Sequence, residues 1–211
     1  VFTGSEKNNF LADIERLSID VNQNIPKGSG VNKNGVAIII GNRNYTGDVP
    51  NVDFALRDAE YMKKYLMKTL GYRKGNIIHI ENATLSQIKT AVKKLSNIAK
   101  KNKSDVFVYY SGHGAPDPKT NTSYLVPVDC NPNYVQTGGF ALADLYSTLN
   151  EIKAKSTTVV IDACFSGSSA AGKLISDVSP IYIEVDDEAL HTDNYAIYTS
   201  ATGQQISAWY P

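Results

Sequence analysis

At 211 residues, with 42% hydrophobic and 20% charged side chains, the chain has the make-up of one globular domain able to bury a sizeable core. Basic and acidic residues both number 21, so overall charge gives no reason to expect nucleic acid or an acidic membrane surface as partner. No apolar run approaches the roughly 20 residues of a bilayer-spanning helix, so no membrane partner is expected.

Residues 1–34 are polar and rich in Asn, Lys and Gly, with one amphipathic stretch from Phe10 to Ile19. They read as an N-terminal extension that packs on the domain or covers something, and the domain proper is set at 35–211. The sequence opens at Val1 without a methionine or a signal-peptide pattern, so it reads as an excised or processed segment. A cytoplasmic setting is favoured, with a secreted or periplasmic one left open by the missing N-terminus.

From Gly35 a regular alternation begins. Val36 to Gly41 is a continuous apolar run, the pattern of a strand buried on both faces. Val52 to Leu70 carries Phe54, Leu56, Ala59, Met62, Tyr65 and Leu66 near helical spacing, and Gly71 is placed to stop that helix. Asn76 to Ile80 is a second strand. Leu85 to Ala99 is a helix followed by Lys100, Lys101 and Lys103, cations that offset a helix dipole at its C-terminus. Ser104 to Tyr110 is the third strand, and Gly114 to Ser123 is read as a loop. Tyr124 to Val128 is a short strand, Phe140 to Ile152 a helix, and Thr157 to Asp162 the fourth long strand. Gly167 to Leu174 is expected to open a helix, Tyr195 to Thr199 is a strand, and Ile206 to Trp209 a further one. Strands alternating with helices predict right-handed βαβ units, hence an α/β fold with a mostly parallel sheet and helices on both faces.

Two of these strands end in chemistry. Tyr110-Ser111-Gly112-His113-Gly114 closes the third, and Asp162-Ala163-Cys164-Phe165-Ser166-Gly167 closes the fourth. The C-terminal edge of a parallel sheet is where ligands gather. A thiol at one tip and an imidazole at the other suffice for a cysteine nucleophile with its acid/base. Thiolate is the attacking species. His113 either lowers the Cys164 pKa by pairing or acts mainly as the acid that protonates the leaving amine. A helix opening after Cys164 would favour the thiolate further. The N–H groups of Gly114 and Cys164 are the expected oxyanion donors. Cys130 sits in a turn between Pro127 and Pro132 and is not assigned to catalysis. His79, inside a strand, and His191, in an acidic loop, receive no role.

Both motifs resemble those of the caspase-like cysteine peptidases, in particular the metacaspases and their bacterial relatives. His113 lies 51 residues before Cys164, in keeping with a family spacing of about 50. The resemblance runs from Gly35 to Trp209 and includes Ile40-Gly41-Asn42-Arg43-Asn44-Tyr45, Ala55-Leu56-Arg57-Asp58-Ala59 and Tyr124 to Asp129. It implies a three-layer sandwich with a sheet of about six strands, and an endopeptidase with a Cys–His dyad acting on protein or peptide substrates. Caspases that cut after aspartate hold it with arginines; the matching place here is Val52, and Phe165 follows Cys164. Metacaspases instead line a pocket for Arg or Lys with aspartates matching Asp58 and Asp162, and Ser111 adds a hydroxyl. Cleavage after basic residues is therefore expected. The resemblance also implies self-processing and zymogen control, with Lys173, Lys27, Lys33 and Arg16 as candidate cleavage points. An extension covering the acidic pocket would make its removal activating.

No cofactor is required by this chemistry and no metal ligand set is assigned. Calcium stays open, because several metacaspases hold it with aspartates near the site. Asp129 matches one of them, Asp186, Asp187 and Glu188 form another acidic group, and Ser168 to Lys173 offers no acid. The family would continue beyond Trp209 with another helix, whereas this sequence stops at Pro211, so the C-terminal part is read as truncated. A non-catalytic caspase-like scaffold is the alternative, disfavoured by the presence of both reactive residues. A flavodoxin-like nucleotide-binding domain ranks last, since Gly41 to Gly47 lacks a phosphate-cradling pattern. Oligomeric state is not legible.

Overall fold

The computed structural model describes residues 22–117, 119–120, 122–163, 168–169, 172–173 and 194–200. Five strands form one sheet: β1 (Val36–Gly41), β2 (Ile77–Glu81), β3 (Asp105–Ser111), β7 (Ser156–Asp162) and β10 (Tyr195–Thr199). Their order is β10-β7-β3-β1-β2, and every pairing is parallel. The further strand expected at 206–209 lies outside the described residues.

Side-chain alternation divides the core between the two faces. Val36, Ile38 and Ile40 of β1 join Val106, Val108 and Tyr110 of β3 and Val159 and Ile161 of β7 on one face. That face is covered by α2 (Leu85–Ile98) and α4 (Leu142–Ile152), through residues such as Ile88, Leu95, Leu145 and Leu149. Ala37, Ile39, Phe107 and Tyr109 point to the other face, under Ala59 and Leu66 of α1 (Ala55–Lys68). The α/β sandwich is thus a direct result of period-two strands meeting helices with one apolar stripe. A capping box starts α2: Thr84 Oγ1 accepts from Gln87 N–H, and the Gln87 side chain accepts from Thr84 N–H. Helix α1 ends at Lys68, and Gly71 then takes a positive φ of 71°, as a stop signal there requires.

Beyond the main sheet the sequence reading needs three corrections. The segment read as a loop after Gly114 forms strand β4 (Gly114–Asp117), paired antiparallel with β5 (Thr122–Leu125), which in turn pairs with β6 (Phe140–Ala141). Pro116 is tolerated because β4 is an edge of this three-stranded sheet, where a missing N–H costs no ladder bond. The helix expected from Phe140 accordingly begins at Leu142, after a short helical turn α3 (Val135–Gly138). The helix expected over Gly167–Leu174 is replaced by a short antiparallel pair, β8 (Ser168–Ser169) with β9 (Gly172–Lys173). Ser168, Ser169 and Gly172 are all weaker helix formers than alanine or leucine. No helix dipole is therefore available from those residues to stabilise a Cys164 thiolate.

The described part of the extension, residues 22–34, is tied to the N-terminal edge of the sheet. Asn32 Nδ2 donates to Asp105 Oδ2 at the start of β3, Gly28 N–H donates to Lys68 O, and Asn32 pairs with Tyr72. Lys27 and Lys33 are both exposed along this strap. The phenylalanine-to-isoleucine stretch at 10–19 and Arg16 lie outside the described residues.

Candidate active site

Of the described candidates, His113, Gly114, Ser111, Asp162 and Asp58 gather at the opposite, C-terminal edge. Strands β3 and β7 run in register to their ends, where Ser111 is paired with Asp162, and Gly112 N–H donates to Asp162 O at 3.2 Å. Each motif then continues two residues beyond that matched pair, one to His113 and the other, in sequence, to Cys164. Cys164, with Phe165, Ser166 and Gly167, lies outside the described residues, and so does the side chain of Lys173.

His113 is 7% exposed and held on every side. Its Nε2 is 2.8 Å from Pro50 O. A carbonyl only accepts, so Nε2 carries the ring proton and Nδ1 is left as the proton acceptor. Burial pushes the imidazole below its ordinary pKa, and the Pro50 carbonyl partly restores it. The Pro50 carbonyl is placed by the loop from Asn42 to Phe54. Thr46 donates from both N–H and Oγ1 to Val128 O, Val52 N–H reaches Arg43 O, and Arg43 pairs with Asp53 at 3.0 Å. Val52, at the place where aspartate-cutting relatives keep a cation, is buried at 1% exposure.

Gly114 opens β4. Val126 N–H donates to His113 O, making His113–Val126 the hydrogen-bonded pair of this antiparallel ladder. Its neighbour Gly114–Leu125 is the non-bonded pair, so the Gly114 N–H faces away from β5, as an oxyanion donor must.

The carboxylates come together on the α1 side of the sheet. Ser111, fully buried, donates from Oγ to Asp162 Oδ2 at 3.4 Å. Asp58 stands in the first turn of α1, which approaches the tip of β1 so closely that a Cβ on Gly41 would lie 2.5 Å from Ala55 O. Burial raises the Asp58 carboxyl above its usual value; Arg57 opposes this, and the Asp162 charge adds to it. The same two carboxylates help push the Tyr109 phenol upward. Arg57 Nε lies 3.4 Å from Asp58 Oδ1 while its guanidinium stacks 4.5 Å over the Phe54 ring. Two acids and one exposed cation therefore lie close together on this side of the sheet.

The other candidates stand apart. Cys130 is buried and its thiol is pushed up to about 11 by desolvation and then by Asp129, so it is a poor nucleophile. His79 lies in β2 beside Glu60 and Lys63. Asp129, the residue matched to a calcium ligand, accepts Leu85 N–H at 3.0 Å and so caps α2. Among the described residues no three His, Cys, Asp or Glu side chains group to hold a metal. Asp186, Asp187 and Glu188 lie outside the described residues.

Sequence reasoning missed Pro50, Asn42, Tyr45 and Tyr110. Pro50 acts through a carbonyl, which leaves no mark in side-chain type. Tyr110 opens the histidine motif, three residues from His113, which was the available signal; Tyr45 ends the quoted stretch from Ile40 and lies 68 positions away.

A family model of the caspase domain matches residues 34–209. Among solved structures, the chain is similar to the crystal structure of the Drosophila initiator caspase Dronc, at 12% identity and a TM-score of 0.48. That match covers 65% of this chain and 51% of the Dronc chain, so the chain matches about half the length of that structure. No curated protein matches. With the family model spanning most of the parallel sheet and both strand tips, the chain belongs to the caspase-domain family of cysteine peptidases.

Proposed function

We propose that the chain is a cysteine endopeptidase that cleaves after arginine or lysine, with Cys164 as nucleophile and His113 as acid/base. The observation that carries this reading is the shared register of β3 and β7, which ends at Ser111 opposite Asp162 with both reactive residues two positions further on in sequence. In the first step Nδ1 of His113 takes the thiol proton, sulfur bonds to the carbonyl carbon, and the carbonyl oxygen becomes an oxyanion held by the N–H groups of Gly114 and Cys164. The imidazolium returns the proton to the leaving amine as the C–N bond breaks, leaving a thioester. Water, deprotonated by the same Nδ1, then splits the thioester and restores the thiol. Asp58 and Asp162 select the basic side chain, and Ser111 orients Asp162. Substrates are proteins or peptides carrying basic residues, the chain itself among them through Lys173, Lys27 or Arg16.

Matched fluorogenic peptides ending in Arg, Lys or Asp test this, with Cys164→Ala as control and calcium or a chelator added. Turnover of the Arg and Lys peptides alone, lost in Cys164→Ala, is expected. Preference for Asp overturns the pocket assignment. No turnover, with Cys164 inert to a thiol-directed probe, points to the non-catalytic scaffold.

A further inference from the structure

We propose that Tyr45 and Tyr110 are positioning residues for His113: one phenol binds the histidine's own N–H and the other its carbonyl, and together they fix where the imidazole stands. The proposal rests on His113 being the acid/base of the reading above. His113 N–H donates to Tyr45 Oη at 2.8 Å, and Tyr110 Oη lies 2.8 Å from His113 O and 2.9 Å from Val126 O. Tyr110 has one proton, and both of those neighbours only accept, so that proton is committed to a carbonyl. The two phenol oxygens converge beside Gly112. This two-point circuit holds His113 at its N–H through Tyr45 and at its carbonyl through Tyr110.

Each link is dry. Tyr110 and Asn42 are fully buried and Tyr45 is 9% exposed. Asn42 braces the circuit from below, accepting Ala83 N–H at 2.7 Å and donating to Val126 O at 3.2 Å. Tyr45 also touches the ring that it orients, its centroid 4.7 Å from the imidazole centroid at a 46° tilt. One tyrosine therefore holds both backbone and side chain of the histidine, while Pro50 O fixes the far nitrogen. Only a glycine fits beneath, because a Cβ on Gly112 would lie 2.7 Å from Tyr45 Oη and 2.8 Å from Tyr110 Oη. Motion of the imidazole by about 1 Å can cost on the order of 100-fold in rate, which gives such a brace its value.

Tyr45→Phe and Tyr110→Phe in the full chain, assayed with an arginine peptide, test the idea. Tyr45→Phe keeps the ring and removes only the hydroxyl that accepts His113 N–H. It is expected to lower kcat about tenfold or more with KM within about twofold, and Tyr110→Phe to act in the same direction. In ¹⁵N-histidine NMR the unaltered chain shows His113 as one neutral tautomer protonated at Nε2, and Tyr45→Phe shows a mixture. A folded Tyr45→Phe with wild-type kcat and an unchanged ring spectrum overturns the proposal. Averaged tautomers in the unaltered chain overturn it too, even where both variants fail to fold. An unaltered chain inert toward every peptide removes the peptidase reading, whereas a single His113 tautomer lost in Tyr45→Phe still upholds the circuit.

Discussion

Replacing Gly112 with alanine puts one methyl group where two phenol oxygens converge. Ideal placement leaves that methyl 2.7 Å from Tyr45 Oη, 2.8 Å from Tyr110 Oη and 3.0 Å from Asn42 Cβ. Ordinary contact begins near 3.4 Å, so both hydroxyls must retreat by roughly 0.6–0.7 Å. Neither has slack, since Tyr45 is bonded to His113 N–H and Tyr110 to His113 O, each at 2.8 Å. Overpacking a tight interior costs about 1–3 kcal/mol. A weakened buried hydrogen bond adds about 1 kcal/mol. Gly112→Ala is therefore expected to lose about 2–4 kcal/mol in urea unfolding, with an unchanged m-value. The backbone of Gly112 is not among those with positive φ, so the cost is steric and has a specific antidote. In Tyr45→Phe the nearest oxygen is gone, and the alanine should cost at least about 1 kcal/mol less there than in the parent. A Gly112→Ala chain within about 0.5 kcal/mol of the parent, or strict additivity with Tyr45→Phe, refutes the reasoning.

Loss of one pocket carboxylate removes a charge-assisted partner, so Asp58→Asn and Asp162→Asn should each lower kcat/KM for arginine peptides by roughly 10- to 100-fold. Arg, Lys and Gln peptide series measure it, and an unchanged ranking refutes it. Asp58→Asn should also raise the urea midpoint at neutral pH. Burial and Asp162 raise this carboxyl, so its ionised form opposes folding above the folded pKa, and the gain should shrink as the wild-type side chain protonates. For His113 the sign is reversed. Its folded pKa is depressed, so its contribution is intact above the unfolded value of about 6.5 and falls away as pH drops through it. Thermal melts between about pH 5 and 8 should slope less in His113→Asn, with His79, also depressed, supplying part of what remains. Finally, Lys27 and Lys33 stand at the far edge of the sheet, a strand length of roughly 20 Å from the His113 edge. Cleavage there should pass between molecules, its fractional rate falling about tenfold on tenfold dilution; a concentration-independent rate refutes this.

The strands that carry the site are legible because β1 and β3 are apolar on consecutive residues, a pattern that only a sheet covered on both faces uses. Their small-residue exits at Gly41 and Gly112 mark the ends within a residue. What the sequence hides is set by distant partners. Gly114 to Asp117 has turn composition, and becomes a strand only through β5 and the freedom of an edge. The Ser-rich segment after Cys164 looks permissive for a helix, yet its described residues pair as β8 and β9. Pro50 enters through a carbonyl, and Tyr45 through a fold that carries it 68 positions along the chain to His113. The side of the domain on which the extension lies depends on Asn32 finding Asp105, two polar residues without periodicity.

The alternation within β3 explains how the proposed binding and proton chemistry would meet at one tip without sharing residues. Tyr110 turns toward the α2 and α4 face, where its hydroxyl reaches back to His113 O. Tyr109 belongs to the α1 face, and Ser111, two residues on, reaches Asp162 in the same pocket that Asp58 joins. Successive residues of one strand thus build two structures, a phenol brace and a carboxylate pocket, on opposite sides of a single sheet. Register with β7 fixes both together, because Ser111 meets Asp162 only when Tyr110 meets Ile161. A slip of one residue would exchange the faces, sending a phenol to the pocket and a hydroxymethyl to the histidine. The strand register thus sets the phenol brace and the carboxylate pair together, while the loop from Asn42 to Phe54 brings Tyr45 and Pro50 O to the same histidine.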